Sequence, residues 1–226
     1  MHFDEEGYPD VVATALPPLS DKNRDGLTGG LYVDSLTAAD LDAAGVDAPD
    51  VTDVVGAMGS VTYRNALDDV LPVLTSEHKD ELFDTYVAYD VRETTDRDCF
   101  LSRACPRLEQ TIHEITVVPL LGEATRDYTL AFQWTHADDG TEGILARSLS
   151  PDPVEFNTSI AAVFQQYQLY AIYPDGDATR RDEAFWADAE FIGINVPKSF
   201  MVDTAVDEMA DQAGRVDDAV DAGLSR

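Results

Sequence analysis

The sequence DYTLAFQWT, residues 127–135, decides the fold class because apolar side chains recur at every second position. This period of two places alternate side chains on opposite faces of a β-strand. The apolar face carries Tyr128, Leu130, Phe132 and Trp134. Asp139-Gly140 then favours a tight hairpin turn, since glycine accepts the positive φ that such turns require, and residues 143–147 return as the partner strand.

Further strands are predicted on both sides of this hairpin, at residues 85–94, 111–121, 160–173 and 190–196. The stretch IAAVFQQYQLYAIY, residues 160–173, contains no charge. Tyr and Gln occur at both odd and even positions in it, which predicts a strand covered on both faces. Strands separated by turns, without long helices between them, are typical of an antiparallel β-barrel, jelly roll or sandwich. We therefore predict a mainly β fold.

The two ends of the chain differ from this β region. Residues 1–60 are rich in Asp, Gly, Pro and Ala, which predicts an irregular acidic arm with one short helix at about 37–44. Apolar residues between Val202 and Val220 recur at intervals of four and three, which predicts an amphipathic helix. The predicted parts are an arm over 1–60, a β-barrel or sandwich over 61–200, with short helices at 64–71 and 76–83, and a C-terminal helix over 201–226.

The charge of the chain indicates its environment. The formal net charge is −29, from 44 Asp and Glu against 15 Lys and Arg, and only Lys22, Lys79 and Lys198 are lysines. Carboxylates at this density repel one another in dilute buffer. Concentrated salt screens the repulsion, because the Debye length falls to about 3 Å at 1 M salt. The profile resembles that of proteins from salt-in haloarchaea and their viruses.

The same composition argues against two classes of partner. Nucleic-acid phosphates require clustered Lys and Arg, whereas the densest basic spot, Arg180-Arg181, is followed at once by Asp182 and Glu183. No apolar run approaches the roughly 20 residues of a membrane-spanning helix, and no secretory signal is visible at the N-terminus. We expect a protein made in the cytoplasm of a halophile, with a virion as an alternative location.

One local motif points to a metal. The hexamer DKNRDG, residues 21–26, resembles the opening of EF-hand and dockerin calcium loops, with oxygen ligands at alternate positions and a glycine at the bend. Its candidate ligands are Asp21, Asn23 and Asp25. The twelfth loop position should be a bidentate carboxylate, and here it is Tyr32. We therefore expect no required cofactor and keep calcium as an alternative.

The remaining reactive residues give no recognised catalytic set. Cys99 and Cys105 suit neither a C-x-x-C redox pair nor a zinc site, so reduced thiols and a disulfide both stay open. Nucleophile-elbow, phosphate-loop and dinucleotide motifs are missing from the sequence. His113 falls in a predicted strand and is interpreted as structural. The prediction is a protein that is not an enzyme.

Two functions follow from these observations. In size, acidity and strand pattern over about 84–200, the chain looks like the single-barrel major capsid proteins of membrane-containing icosahedral haloviruses. That resemblance implies a structural subunit of a capsid or tail, acting through contacts with copies of itself and with other structural subunits in high salt. The alternative is a haloarchaeal cytoplasmic β-barrel enzyme or small-molecule-binding protein. Its pocket would be lined by Trp134, Gln166, Tyr167 and Tyr170.

Overall fold

Long antiparallel strands carry most of the chain. The computed structural model describes residues 31–33, 38–39, 55–118, 121–136, 140–150, 152–159, 161–191 and 198–224. The strands are β1 Leu31–Val33, β2 Val55–Tyr63, β3 Tyr86–Thr94, β4 Arg107–Val118, β5 Gly122–His136, β6 Glu142–Ser150, β7 Glu155–Phe156, β8 Ala161–Asp175 and β9 Ala178–Phe191. The helices are α1 Leu67–Leu74, α2 Lys79–Leu82, α3 Arg97–Leu101 and α4 Lys198–Asp221.

The described strands form one antiparallel sheet in the order β1-β2-β9-β8-β6-β5-β4-β3, and the short β7 pairs with β5. Most neighbours in this order also follow one another in the chain, so hairpins build the sheet from β3 to β9. Strand β2 instead pairs with β9, with Val55 opposite Ala187 and Tyr63 opposite Thr179. The segment that contains α1 and α2 therefore connects opposite regions of the sheet.

Helix α4 packs on β2 and on α1, and it covers one face of the sheet, which we call the inner face. Its buried residues Val206, Met209, Ala213 and Val216 keep the predicted spacing of three and four. The inner face contributes Val61, Tyr63, Ile112, Tyr128, Leu130, Phe132, Ile144 and Ile172 to the same core. The alternating stretch in β5 is thus apolar because its inward side chains meet this core.

One buried carboxylate joins α4 to the turn between β2 and α1. The side chain of Asp217 accepts hydrogen bonds from the backbone N–H of Arg64, at 2.9 and 3.0 Å to its two oxygens, and from the amide of Asn65 at 3.0 Å. Asp217 is only 4% exposed. Because all these partners lie at the end of β2, the carboxylate fixes the position of α4 over the sheet.

The mainly β fold, its antiparallel sheet and its C-terminal helix are confirmed. The prediction of a jelly roll or sandwich is wrong, because the second layer over the inner face is a helix rather than another sheet. Side-chain alternation identifies an amphipathic strand, but it does not say what covers its apolar face.

Several predicted boundaries also shift. Strand β9 spans Ala178–Phe191 and so begins well before the strand expected at 190–196, of which residues 192–196 lie outside the described part of the chain. Helix α1 continues through Pro72 instead of ending before it. Strands β1 and β2 both begin inside the range 1–60 that the sequence assigned to an arm.

Some predictions fall outside the described residues, including the calcium ligands Asp21, Asn23 and Asp25 and most of the helix at about 37–44. Within the described ranges, no group of three or more His, Cys, Asp or Glu is arranged to hold a metal ion. The helices in that part of the chain are too short or too polar to cross a membrane.

Candidate functional site

Strand β9 places two charged residues, Arg181 and Glu183, on the inner face. Arg181 pairs in register with Val61 of β2 and with Ile172 of β8, both of which face the core. Glu183 lies two residues further along and therefore on the same side of the strand. Each is only 3% exposed. A buried arginine and a buried glutamate inside an otherwise apolar core require a specific explanation, because charges are costly to remove from water.

Arg181 is held in place by α4 and by two aromatic rings. Its Nη1 donates to Oε1 of Gln212 at 2.9 Å. Its guanidinium carbon lies 5.6 Å from the ring centre of Tyr63 and 5.6 Å from that of Tyr170, a distance at which ring faces attract cations. The charged head is therefore clamped between β2, β8 and α4.

Several polar atoms in this cluster are nevertheless left without a hydrogen bond. Among the described residues, the hydroxyl of Tyr63, Nε and Nη2 of Arg181 and Oε2 of Glu183 are buried and make no well-formed hydrogen bond, although Tyr63 and Arg181 are close enough to shift each other's pKa. Arg181 Nη2 and Glu183 Oε2 are 3.2 Å apart, which makes an ion pair, but the pair lacks hydrogen-bond geometry. Buried polar groups are nearly always satisfied in native proteins, so a cluster of unpartnered ones calls for an explanation.

The protonation of this cluster favours donors over acceptors. Burial raises the pKa of Tyr63 to about 12, so its hydroxyl keeps its proton. Burial also raises the pKa of Glu183, against the pull of Arg181, and biases the carboxyl towards its neutral form. For Arg181, burial opposes the charge, but Tyr63 and Glu183 outweigh it and raise the guanidinium pKa. The cluster thus presents a fixed cation and a hydroxyl donor to any group placed beside it.

A second ion pair on the inner face joins the buried Glu114 of β4 to the partly buried Arg126 of β5. Arg126 donates to Glu114 Oε1 from Nη2 at 2.6 Å and from Nε at 3.1 Å, and its guanidinium carbon lies 4.3 Å from the Tyr128 ring centre. The Tyr128 hydroxyl donates to the other Glu114 oxygen at 2.8 Å. Both carboxylate oxygens are used, so this pair is complete in itself and differs from Arg181 and Glu183.

An open cleft of about 500 Å³ lies where the link from α1 to α2 faces the link from β3 to α3. It is lined by Ser76, Glu77, His78, Thr94, Thr95, Asp96, Arg97 and Asp98. Asp96 accepts from the N–H of Cys99 at 2.9 Å, and Arg97 donates to the carbonyls of Thr75 and Pro72 at 3.1 and 2.8 Å. Because these groups already support the fold, we place the candidate site at the inner face.

The structure brings only part of the predicted pocket lining together. Trp134 and Tyr170 pack against the core, and Gln166 shares the parity of Tyr170. Tyr167 lies on the opposite face of β8, where its hydroxyl donates to Gln165 at 2.8 Å. Only Tyr170 contacts the candidate site.

The other predicted residues lie away from it. Cys99 and Cys105 form a disulfide around the end of α3. His113, on the outer face, lies with Nδ1 3.0 Å from Asp127 Oδ1.

Sequence reasoning missed Tyr63, Arg181 and Glu183. The run Arg180-Arg181-Asp182-Glu183 was interpreted as a basic spot neutralised by its neighbours. In a strand, these four residues instead form two ion pairs on opposite faces, Arg180 with Asp182 at 3.0 Å and Arg181 with Glu183 at 3.2 Å. The spacing of two between opposite charges is the signal that could have revealed this arrangement.

No protein-family model and no curated protein matches this sequence. The human StarD13 (DLC2) lipid transfer and protein localization domain is similar over 92% of this chain and 95% of its own, at 14% identity and a TM-score of 0.49. A START superfamily protein from Mycobacterium smegmatis matches 74% of this chain and 97% of its own, at 9% identity and 0.49. The Zhui aromatase/cyclase from Streptomyces sp. R1128 matches 76% and 96%, at 14% identity and 0.46. At these values the likeness says nothing about what this chain binds.

The prediction of a structural subunit of a virion is wrong. It depended on a strand pattern interpreted as a capsid-type barrel, whereas a single sheet packs its inner face on a helix and buries ionised groups there. The capsid and tail assignments are therefore withdrawn.

Proposed function

We propose that this chain binds a small organic molecule with an apolar body and a hydrogen-bond-accepting, preferably anionic, group between the inner face and α4. The observation that carries the proposal is the unpartnered set of donors at Tyr63 and Arg181. A carboxylate or carbonyl oxygen placed beside them would accept from the Tyr63 hydroxyl and from Nε and Nη2 of Arg181.

Burying these donors without hydrogen-bond acceptors lowers the free energy of unfolding of the protein. A buried polar group without a partner costs about 1–3 kcal/mol. A fold that keeps several of them in one place is less stable than it need be, and a ligand that satisfies them recovers part of this free energy on binding. Sites that trade stability for binding in this way are common in proteins.

The charge argument favours an anionic group over a neutral one. Burial raises the pKa of Glu183 and so reduces its ability to neutralise Arg181. Arginine presents a planar fork that matches the geometry of a carboxylate. The guanidinium is already oriented through Nη1, which donates to Gln212, so its other donors keep a fixed direction.

The apolar body of the ligand would contact the residues around this polar end. Val61 and Ile172 flank Arg181 in the sheet, and Val216 and Ala213 belong to the same core from α4. Ligand sites in proteins are mostly apolar, with a few placed polar groups that fix the orientation of the ligand.

The test compares Tyr63→Phe with Tyr173→Phe. Tyr63→Phe removes an unpartnered hydroxyl, so the free protein should be as stable as the wild type or more so. Its Kd for a fluorescent long-chain carboxylic acid, titrated in concentrated KCl, should rise about 2- to 12-fold, as the loss of one hydrogen bond predicts. In Tyr173→Phe, the lost hydroxyl donates to Asp182 on the outer face at 2.7 Å. This variant should lose stability and keep the wild-type Kd.

Two results would contradict the proposal. Equal Kd values for the wild type and Tyr63→Phe would show that the hydroxyl does not meet the ligand. Absence of saturable binding for long-chain carboxylic acids, ketones and alcohols would remove the site itself.

A further inference from the structure

Lys79 begins α2 and directs its side chain towards the inner face. Its Nζ lies 5.2 Å from the ring centre of Tyr89, an inward residue of β3. Lys79 itself is only partly buried. The amine therefore lies against a buried ring of the inner face, while Lys79 keeps part of its surface exposed to solvent.

This lysine is unusual in its lack of a counter-ion. The structure gives its Nζ no carboxylate within ion-pair distance among the described residues, although the chain carries 44 Asp and Glu. The neighbouring inward cations do have one, since Arg126 is 2.6 Å from Glu114 and Arg181 is 3.2 Å from Glu183. An ammonium ion without such a partner loses hydration free energy that no ion pair replaces, which favours the neutral amine.

Some of the charged groups around Lys79 raise its pKa and others lower it. Tyr89 of β3 lies under its Nζ, and the charges of Glu114 on β4, Arg126 on β5 and Arg181 on β9 act on it. Asp80 and Glu81 follow it on α2 and are exposed. Burial lowers the pKa of Lys79 to about 8, Glu114 opposes this shift, and Arg126 and Arg181 add to it. Near pH 8 a large fraction of the amine is neutral and nucleophilic.

We propose that Lys79 is a carbonyl-reactive amine that condenses with an aldehyde or ketone group of a molecule entering the inner face. The inference rests on the proposed function only for the choice of natural ligand, since the position of the amine is a property of the folded chain. A lysine that is desolvated and lies beside other cations is the environment in which lysines act as nucleophiles.

The chemical step is a condensation that releases water. The lone pair of neutral Nζ forms a bond to the carbonyl carbon, and a proton moves from nitrogen to oxygen to give a carbinolamine. The C–O bond then breaks, nitrogen loses its second proton, and the oxygen leaves with both protons as water. The product is an imine between Lys79 and the carbonyl carbon, and no oxidant or reductant takes part.

The experiment traps this imine with a hydride donor. The full chain in concentrated KCl is incubated with a short aliphatic aldehyde and sodium borohydride, which reduces the imine to a stable secondary amine. Intact mass gives the number of adducts, and peptide mapping assigns them among Lys22, Lys79, Lys198 and the N-terminal amine. We expect Lys79 to react at least 10-fold faster than Lys198 at pH 7.5. Its rate should level off above about pH 8, where the other lysines are still accelerating.

Matched variants separate reactivity from folding. Lys79→Arg and Lys79→Met should each lose the dominant adduct, whereas Lys198→Arg should keep it. In denaturant the lysines should label at similar rates, because the selectivity belongs to the folded chain. Equal labelling of the lysines in the folded protein would overturn the proposal, as would a Lys79 rate that rises up to pH 10. Selective labelling together with unchanged ligand affinity in Tyr63→Phe would support Lys79 and reject the proposed function, so the two failures are distinguishable.

Discussion

The guanidinium of Arg103 stacks on the indole of Trp134, with its carbon 4.4 Å from the ring centre. The same side chain pairs with Asp68 of α1 at 2.6 Å and with Glu142 of β6 at 2.7 Å. Arg103 lies inside the loop closed by the Cys99–Cys105 disulfide. One residue therefore joins the α3 loop, the first helix and two strands at one end of the inner face.

Arg103→Ala should lower the free energy of unfolding by about 1–2 kcal/mol, because it removes a cation–π contact and two partly exposed ion pairs. The measurement is denaturant unfolding in concentrated KCl. Arg92→Ala is the matched control, since Arg92 pairs with Asp127 at 2.9 Å on the outer face. It should cost at most about 0.5 kcal/mol. Equal losses in the two variants would mean that the indole contact contributes nothing.

Reduction of the disulfide should destabilise the chain by about 2 kcal/mol, as expected for closing a short loop. The residues it joins are six apart in sequence. Trp134 donates from its indole N–H to the carbonyl of Phe100 inside this loop at 2.9 Å, so its fluorescence should report the change. A variant with Cys99→Ser and Cys105→Ser should be less stable without reductant and insensitive to it. A wild-type midpoint unaffected by reductant would contradict this prediction.

The sequence predicted the strands whose two faces differ in polarity. In residues 127–135 every inward side chain is apolar, because the inner face meets α4 and its core, and alternation exposes this directly. The C-terminal helix, expected over 201–226 and observed at Lys198–Asp221, was predicted for the same reason, because its spaced apolar residues such as Val206, Met209 and Ala213 are the buried ones. Local periodicity is sufficient to predict a strand or helix when only one of its faces is buried.

The candidate site was not predictable in this way. Strand β9 carries charges on both faces, so its sequence resembles a solvated turn rather than a central strand. It becomes central only because β2, more than a hundred residues earlier, pairs with it on one side and β8 on the other. The approach of Tyr63 to Arg181 depends on that long-range pairing, which no local pattern encodes.

Glu114→Ala should destabilise the protein by up to about 3 kcal/mol, because it leaves the Arg126 guanidinium, only 17% exposed, without a counter-ion. Replacing both members, with Glu114→Leu and Arg126→Met, should recover at least half of this loss, since apolar side chains of similar size need no compensation. Denaturant unfolding of the single and double variants measures both effects. The exposed glutamate Glu109, which pairs with Arg107 at 2.7 Å, supplies the control variant Glu109→Ala, with an expected loss below about 0.5 kcal/mol. A double variant with a lower free energy of unfolding than Glu114→Ala would reject this explanation.

The free energy of unfolding should increase with KCl concentration, because screening reduces repulsion within a chain of net charge −29. Thermal unfolding between about 0.1 and 3 M KCl measures the slope; at the upper end the Debye length is below about 3 Å. Neutralising the exposed carboxylates Asp69, Asp84 and Glu93 as amides should raise stability in low salt and have less effect in high salt. If the free energy of unfolding did not change with salt, repulsion between the surface carboxylates would not be what destabilises the chain.

Lys79→Met should stabilise the chain below about pH 8 and have a diminishing effect above it. The pKa of Lys79 is lowered from 10.5 to about 8, so between these values the unfolded chain binds more protons than the folded one. The charged Lys79 therefore lowers the free energy of unfolding of the wild type below about pH 8, and this penalty disappears as the pH rises from about 8 to 10.5. Lys79→Met has no such penalty at any pH. The difference between the two proteins should be at most about 3 kcal/mol at pH 7 and should fall towards zero by about pH 10.5. Guanidinium unfolding at pH 7, 9 and 10.5, with Lys198→Met as the comparison variant, measures it. A difference that is constant over this range would show that Lys79 titrates as an ordinary exposed lysine, and its selective reactivity would lose its physical basis.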